Sequence, residues 1–472
     1  MQTGANTIFS RFILPAGSIL ILSILLSTGL LRVPQSYLLA GVALGVIFII
    51  CFLSPEAGLY ILIVSMLLSP EIIFGHVAAE GPLQRGVTLR LDDFLLVVIG
   101  LSWFARTAVQ RELIILRKTP LNKPIVCFIL AMVVSTTWGY INGLVTAKAG
   151  FFYTLKLIEY FVVYFMTVNI LRDRHQVKKL VITLIVVCIL VSLYGIVQIP
   201  MGRRVTAPFE GAVGEPNTFG GYIVFMLSMI LGIALAHDKP RVRAAMVPLL
   251  LVAVPLLFSL SRSSFVALMG MYLALLVFSP RRGIVILALI FLVVSSPVLL
   301  PQKVKDRITY TWKQPYKRHP LQVKVFGIWL DTSTSARITS YRRLSKDWID
   351  HPILGHGVTG YRFMDAQFPR VLAEMGLAGL IIFLWLLWSI FMVGYRTFRG
   401  AQTTLFRGLG FGLMVGLCAM AVHALGTNTF FIVRIMEPFW LTTGIVARLL
   451  QIEAEEGSAV EVPAEAFPAF AQ

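Results

Sequence analysis

Arg262 lies in the segment SLSRSSF (259–265), between two apolar runs that are each long enough to cross a bilayer. A guanidinium group is planar and permanently charged, and it can form two parallel hydrogen bonds to phosphate oxygens. Because a charge near the middle of a membrane costs about 3 kcal/mol, such a group should face a cavity that holds a counter-ion. Arg262 could instead extend from a tight turn to the lipid head groups. Its flanking serines favour a polar cavity that binds a lipid phosphate.

Three other segments combine arginines with carboxylates, amides or a histidine. They are GRRVTAPFEGAVGEPNTFGGY (202–222), the stretch from Arg337 to DAQFPRVLAEMGLAGL (365–380), and HALGTNTFFIVRIMEPFW (423–440). Converging guanidinium groups would bind a diphosphate, and a carboxylate or imidazole beside them would accept the proton of a sugar hydroxyl. The candidate diphosphate-binding residues are Arg262, Arg337, Arg203, Arg204 and Arg434. The candidate catalytic residues are Asp365, Glu374 and His423.

Each candidate also has a purely structural interpretation. The arginines could be ordinary charges at the ends of membrane spans or, for Arg337, on a solvated helix face. Of the carboxylates, Asp365 could be a plain loop residue and Glu374 a buried structural acid. His423 could be a core histidine with both ring nitrogens hydrogen-bonded. The sequence alone leaves these alternatives open.

Metal and nucleotide sites are not indicated. The seven histidines are scattered, and the sequence has no HExxH or DxD pattern, no GxxxxGK[ST] loop and no dinucleotide-binding fingerprint. The four cysteines lie singly in apolar runs, which predicts neither a disulfide nor a metal site. Lys156 and Glu159 lie three residues apart in one apolar run, and we expect them to pair with each other. We therefore expect no cofactor.

Composition predicts an all-α polytopic membrane protein with about 12–14 transmembrane helices. The chain has 472 residues, of which 57% are hydrophobic and 14% charged, and its mean hydropathy is +0.82. Its apolar runs of about 20 residues match the thickness of a bilayer, whereas a β-barrel would need short alternating strands. The predicted spans lie near 12–31, 37–53, 57–74, 91–108, 123–141, 153–171, 180–200, 218–236, 245–260, 264–279, 284–301, 371–394, 408–425 and 433–450.

The distribution of charge predicts the orientation in the membrane. Short segments rich in lysine and arginine all fall on one side of this arrangement, so we expect that side to be cytoplasmic, together with both termini. These segments are 106–123, 172–179, 239–243, 281–282 and 396–407. The net charge of +18 is attributed to these segments and to one long basic loop, and it does not indicate a nucleic-acid partner.

The chain divides into four predicted regions. Residues 1–301 form the first part of the transmembrane bundle, 302–370 a long basic periplasmic loop, 371–450 the last transmembrane helices, and 451–472 a disordered acidic cytoplasmic tail. Within the loop, the apolar residues of 335–350 recur at helical intervals. This pattern predicts a short amphipathic helix that lies on the bilayer or over the bundle.

Four motifs together resemble the bacterial O-antigen ligase/polymerase family, over a range from about Lys156 to Trp440. The motifs are SLSRSS (259–264), EPNTFGGY (215–222), HPILGHGVTGY (351–361) and LAEMGLAGL (372–380). The resemblance implies an inner-membrane glycan transferase that takes an oligosaccharide from undecaprenyl diphosphate at the periplasmic face. The acceptor is lipid A–core for ligases, another lipid-linked repeat unit for polymerases, and a protein for related enzymes. A chain-length regulator is a further expected partner.

One position departs from the family's ligase pattern. That pattern has a histidine in the long loop, shortly before a GxxG-type pair of glycines. Gly376 and Gly379 provide the pair, but Asp365 stands where the histidine aligns. The departure favours a polymerase-like member in which Asp365 leads the candidate bases.

The expected mechanism needs neither a metal nor a nucleotide. Arg262 and Arg337, supported by Arg203 or Arg204, would stabilise the charge that develops on the diphosphate as the sugar–oxygen bond breaks. Attack opposite the leaving group predicts inversion at the anomeric carbon. The competing class is a transporter of lipid-linked glycans or small anions. Transporters usually contain paired halves, and this sequence shows no matching halves.

Overall fold

The structure is a computed structural model that describes residues 35–70, 90–109, 117–210, 214–313, 322–325 and 327–460. These residues are almost entirely helical, and several helices are long and apolar enough to cross a membrane. The predicted all-α polytopic class is therefore confirmed. The predicted span at 12–31 and most of the loop near 75–90 lie outside the described residues.

The described residues form 16 α-helices, four short 3-10 helices and one small hairpin. The α-helices are α1 (Gln35–Leu53), α2 (Pro55–Leu68), α3 (Leu91–Val109), α4 (Asn122–Ile141), α5 (Ala147–Ile170), α6 (Arg174–Gln198), α7 (Pro216–Ala236), α8 (Pro240–Ala245), α9 (Val254–Phe258), α10 (Arg262–Phe278), α11 (Arg282–Leu299), α12 (Gln302–Lys313), α13 (Thr332–Asp347), α14 (Gln367–Gly400), α15 (Thr404–His423) and α16 (Val433–Val460). The 3-10 helices are Ile199–Met201, Val247–Ala253, Trp348–Asp350 and Thr429–Phe431.

Helices occupy every predicted span that the structure describes. Length and composition qualify seven helices, or continuous helical runs, as candidate membrane spans among the described residues. The pair α11 and α12, bent by 98° at its break, would make an eighth, and α1, α2 and α10 contain shorter apolar helices. The number of 12–14 spans stays a prediction, as do the boundaries of the first three predicted regions.

Glycines allow α7 and α15 to approach closely at the centre of the bundle. Gly408 and Gly412 are four residues apart on α15, a spacing typical of close helix pairs in membranes. A Cβ on Gly408 would lie 2.6 Å from Cα of Ile233, and one on Gly412 would lie 2.9 Å from Cα of Met229. A Cβ on Gly232 would collide with Gly412 itself. This contact holds the N-terminus of α7 beside the C-terminus of α15.

The short basic segments meet at one end of the bundle, which we call the basic end. Asp238 pairs with Arg281 and Arg407, with oxygen–nitrogen distances of 3.3 and 3.1 Å. Glu455 pairs with Arg117 at 3.4 Å. These ion pairs join segments that the sequence assigns to one side of the membrane.

The tail predicted to be disordered supplies part of this surface. Helix α16 continues to Val460, so disorder is wrong for residues 451–460, while 461–472 lie outside the described residues. Glu453 accepts hydrogen bonds from the backbone N–H groups of Gln402 and Thr403, at 2.9 and 2.8 Å. Glu456 pairs with Arg174. Acidic side chains that balance basic loops hold this last helical segment in place.

The opposite end, which we call the site end, carries the segment between α11 and α14. Strands β1 (Lys324–Val325) and β2 (Ile328–Trp329) form an antiparallel hairpin there. The predicted amphipathic helix is confirmed as α13 and the 3-10 turn after it. Leu344 of α13 is buried, and the Tyr341 hydroxyl donates to the carbonyl of Leu425 at 3.0 Å. Helix α13 therefore lies over the bundle.

A bulkier side chain at Gly232 tests the contact between α7 and α15. Gly232→Val should lower the free energy of unfolding by about 1–3 kcal/mol, because the backbones must separate to admit it. Gly45→Val is the matched control, since a Cβ there meets nothing within 4 Å. Thermal unfolding in detergent measures both variants, and equal losses would contradict the proposed close contact.

Candidate active site

A kink in α14 organises the site end. Gly376 lies inside this helix with φ 64° and ψ −168°, so two helical segments meet there. Residues 351–361 fill the opening, and the N–H of Leu377 donates to the carbonyl of Pro352 at 2.9 Å. A Cβ on Gly376 would lie 2.7 Å from the backbone nitrogen of Gly355. Glycine is required here for both its positive φ and its small size.

Hydrogen bonds join this turn to α14 and α4. The N–H of His356 donates to the carbonyl of Ala373 at 2.9 Å. The hydroxyl of Ser135, on α4, lies 2.6 Å from the carbonyl oxygens of both Leu354 and Glu374. The motifs HPILGHGVTGY and LAEMGLAGL therefore form a single structural unit, although they are separate in sequence.

A cavity of about 350 Å³ lies against this unit. It is enclosed by α5, the N-terminus of α7, the segment before α14 and the segment after α15. Its polar lining residues are Lys156, Glu215, Asn217, Asp365, Arg370, Thr427 and Asn428. Its aromatic lining residues are Tyr153, Tyr160, Phe363 and Phe431. The cavity thus offers two carboxylates, two cations and several aromatic faces to a bound molecule.

Arg370 is the cation held most firmly in this cavity. Its Nε donates to Oε1 of Glu374, one helical turn away, at 3.0 Å. Its guanidinium carbon lies 4.4 Å from the ring centroid of Phe431, a cation–π contact. The side chains of Arg370 and Glu374 are 10% and 3% exposed. The main role of Glu374 in this arrangement is to position Arg370.

Asp365 and Arg337 meet at the rim of the cavity. Asp365 is 52% exposed, and one of its carboxylate oxygens lies 3.9 Å from Nη2 of Arg337. Within the described residues, the buried Nε of Arg337 makes no hydrogen bond. The carbonyl of Gly426, next to Arg337, accepts a hydrogen bond from Ser263 at 3.3 Å. A buried donor without an acceptor indicates a position where an anion could bind.

Arg262 lies next to Ser263, at the first position of α10. Its Nη2 donates to Oδ2 of Asp331 at 2.6 Å. Nearby, Arg204 and Arg307 both donate to the carbonyl of Leu260, at 3.2 and 3.3 Å. Leu260 has φ 52°, unusual for a residue with a side chain, and this turn presents its carbonyl to both arginines. Three guanidinium groups therefore gather at the N-terminus of a helix, where the helix dipole also favours an anion.

The pKa values around this cluster indicate excess positive charge. Burial lowers the pKa of Arg204, and repulsion by Arg307 and Arg262 lowers it further. Burial alone would raise the pKa of Asp331, but the hydrogen bond and charge of Arg262 outweigh it and keep the pKa below its ordinary value. An additional anion at this position would relieve the repulsion.

Three predicted site residues occupy other places. His423 is fully buried, and its ring nitrogens lie 2.8 Å from the Thr429 hydroxyl and 3.3 Å from the Ser264 hydroxyl. Arg434 is also fully buried, and its guanidinium donates to the carbonyls of Pro208, Ser69 and Phe209, which anchors the segment before α7. Arg203 is exposed. None of the three lines the cavity.

Arg370, Arg307 and Asp331 are not among the candidate residues that the sequence indicates, and Lys156 is there only a structural partner of Glu159. The predicted pairing of Lys156 with Glu159 is confirmed, with Nζ and Oε1 3.3 Å apart. The pairing of Arg370 with Glu374 could have been predicted from the sequence, because opposite charges four residues apart on one helix pair with each other. The contact between Arg262 and Asp331 spans 69 residues, and no local pattern predicts it.

The Arg370–Glu374 pair allows stability and function to be separated. Glu374→Leu should lower the free energy of unfolding by about 3–5 kcal/mol, because it leaves a buried guanidinium without its partner. The double variant Arg370→Met/Glu374→Leu should recover most of that loss, since a buried pair can be replaced by apolar residues. Unfolding in detergent measures both. The double variant should still lack catalytic activity, and full activity would assign Arg370 a structural role only.

Comparison with known protein families identifies part of this arrangement. Residues 247–384 match the family described as O-antigen ligase. The matched range contains Arg262, Arg307, Arg337, Asp365 and Arg370, and it confirms the resemblance there, while EPNTFGGY (215–222) lies outside it. No curated protein matches the chain. The match implies a glycosyltransferase-type enzyme that uses a lipid-linked glycan donor and a glycan acceptor. The chain is therefore a multi-pass membrane protein in which residues 247–384 are similar to the O-antigen ligase family.

Proposed function

We propose that this protein is a polysaccharide polymerase of the bacterial inner membrane. It moves an oligosaccharide from undecaprenyl diphosphate to a hydroxyl of a second lipid-linked glycan. In this proposal the site end faces the periplasm and the basic end faces the cytoplasm, with both termini, in agreement with the rule for positive loops. The observation that carries the proposal is the group of arginines beside the cavity that Asp365 lines.

The diphosphate of the donor binds at the N-terminus of α10. Arg262, Arg204 and Arg307 come from three separate segments, and Arg337 adds a buried Nε that lacks an acceptor among the described residues. Charge builds on the phosphate oxygens as the bond between sugar and diphosphate breaks. Donors held in place before the reaction stabilise that charge without any cost of reorganisation. This mechanism requires no metal.

Asp365 is the general base in this proposal. Its carboxylate is half-exposed at the rim of the cavity, where an acceptor sugar can reach it. Glu374 is committed to Arg370, and both ring nitrogens of His423 have hydroxyl partners in the core. The acceptor oxygen attacks the anomeric carbon opposite the diphosphate, Asp365 takes its proton, and the diphosphate leaves. This geometry predicts inversion.

The choice of polymerase over ligase depends on Asp365. An aspartate stands where the ligase pattern has a histidine, and this departure from the ligase pattern favours the polymerase. A ligase that uses lipid A–core, or a relative that glycosylates a protein, is the alternative within the same family. The lipid-linked glycans of a deletion strain distinguish these activities.

A deletion strain should accumulate undecaprenyl-linked single repeat units on the periplasmic face. The reason is that the repeat unit is flipped and then lacks the enzyme that extends it. Extraction of lipid-linked glycans, combined with labelling of intact cells, measures both the length and the side. Full-length polymer on undecaprenyl diphosphate would indicate a ligase, and single repeats on the cytoplasmic face would indicate a transporter.

Substitutions at the two proposed functional groups test the mechanism. Arg262→Ala should lower the transfer rate by about 10²–10³, the typical loss when one preorganised donor is removed. Asp365→Asn should lower it by about 10²–10⁴, the usual contribution of a general base. Chain extension from purified lipid-linked repeats measures both rates. Arg342→Ala, an exposed position on α13, is the matched control, and wild-type rates in Arg262→Ala would remove the diphosphate site from α10.

A further inference from the structure

Four carboxyl groups and one amine meet inside the bundle, between α3, α5 and α16. They belong to Asp92, Asp93, Lys156, Glu159 and Glu437. Asp92 and Glu437 are fully buried, and the side chains of the other three are 10–17% exposed. Ionisable residues inside a membrane protein are costly, and they usually mark a functional site.

The hydrogen bonds in this cluster are unevenly distributed. Lys156 donates to Asp93 and to Glu159, and the second oxygen of Asp93 accepts the backbone N–H of Arg90 at 2.9 Å. Within the described part of the chain, no group donates a hydrogen bond to either carboxylate oxygen of Asp92 or of Glu437. Two carboxyl groups are thus fully buried next to other carboxylates, without hydrogen-bond donors among the residues that the structure describes.

The charged groups near Asp92 and Glu437 do not supply hydrogen bonds to these two carboxyl groups within the described residues. The titratable and charged groups that surround them are Arg90 and Asp93 at the start of α3, Lys156, Glu159 and Tyr160 on α5, and Arg434 on α16. Arg434 is occupied by backbone carbonyls, and its guanidinium lies 3.9 Å from Glu210. A buried carboxylate without a hydrogen-bond donor costs far more than a neutral carboxylic acid, so these positions favour bound protons.

The cluster is connected to the cavity through one residue. Lys156 lines the cavity, together with its neighbour Tyr160, while its amine contacts the carboxylates behind it. If Asp92 and Glu437 carry protons, the negative charge behind the cavity is limited to Asp93 and Glu159, which contact Lys156 directly. If they lose their protons, two more negative charges lie behind the same amine and weaken the attraction of the cavity for an anion.

We propose that Asp92 and Glu437 form an intramembrane proton-binding site that limits the negative charge behind Lys156, beside the cavity, so that the anionic head group of the donor can bind nearby. The effect on donor binding rests on the proposed function, whereas the presence of bound protons at Asp92 and Glu437 does not depend on it. The site makes donor binding sensitive to pH. Protonated carboxyl groups give tight binding, and their ionisation at higher pH weakens it. Arg262 and Asp365 are not part of this site.

The expected change in donor affinity follows from Coulomb's law. One unit charge gained about 10 Å from the donor, at an effective dielectric constant of about 20, changes an equilibrium about tenfold. The KM for the lipid diphosphate should therefore rise about tenfold for each carboxylate that ionises. The rate at saturating donor should change much less, because the reacting groups are untouched.

The first measurement detects the protons directly in the purified wild-type protein. Infrared spectroscopy should show the carbonyl stretch of protonated carboxyl groups at neutral pH, with a shift in D₂O. The band should lose intensity in Asp92→Asn and in Glu437→Gln, and it should stay unchanged in the control Asp306→Asn, which alters an exposed carboxylate on α12. Absence of the band from the folded wild-type protein would overturn the proposal.

The second measurement follows KM for undecaprenyl-diphosphate-linked repeats against pH. Asn and Gln imitate the protonated acids, so the double variant Asp92→Asn/Glu437→Gln should keep a low KM at high pH, where the wild-type KM rises. A wild-type pH dependence that persists in this variant would refute the link between the cluster and the donor. A clear infrared band with no transfer activity in any variant would leave the proton site standing and remove the proposed function.

Discussion

Positive charge inside this protein has to be balanced by neighbouring groups, and that constraint arranges the site end. Three guanidinium groups meet at one helix N-terminus because a strained turn offers the carbonyl of Leu260 to Arg204 and Arg307, and Asp331, just before α13, accepts a hydrogen bond from Arg262. Neither partner removes the excess charge completely. The site is therefore stable without a ligand and retains a preference for an anion, which suits an enzyme that must bind and release a diphosphate.

The same constraint explains why the cavity lies where it does. The kink at Gly376 makes room in α14 for residues 351–361 to pack against it. On the same helix, Glu374 accepts a hydrogen bond from Arg370. Phe431 covers the opposite face of that guanidinium. Asp365 lies just before this helix and is left half-exposed. The two carboxylates therefore have different environments: Glu374 pairs with Arg370, whereas Asp365 lines the cavity.

The sequence predicted the helices and the clusters well, because apolar runs, glycines and charged turns are local patterns. Arg262 and Asp365 stand out in the sequence because they interrupt such patterns, and their functional roles stay predictions. The sequence did not predict Asp331 as the partner of Arg262, because that contact joins distant parts of the chain. The acidic composition of the segment around Glu453 predicted a disordered tail. In the structure this segment is helical, because Glu453 accepts hydrogen bonds from the loop between α14 and α15. His423 and Arg434 were chosen as candidates because polar residues are rare in membrane spans. In the structure both are fully buried and hydrogen-bonded to neighbouring residues of the bundle.

The central claim is that the arginines at the N-terminus of α10 bind a diphosphate on a lipid. The most direct measurement is the affinity of the purified protein for undecaprenyl diphosphate without a glycan, compared with uncharged undecaprenol. Each lost charged hydrogen bond is worth about 1.5–3 kcal/mol, so Arg262→Ala and Arg307→Ala should each weaken diphosphate binding about tenfold or more. Undecaprenol should bind equally to all three proteins. Unchanged affinity for the diphosphate in both variants would contradict the account.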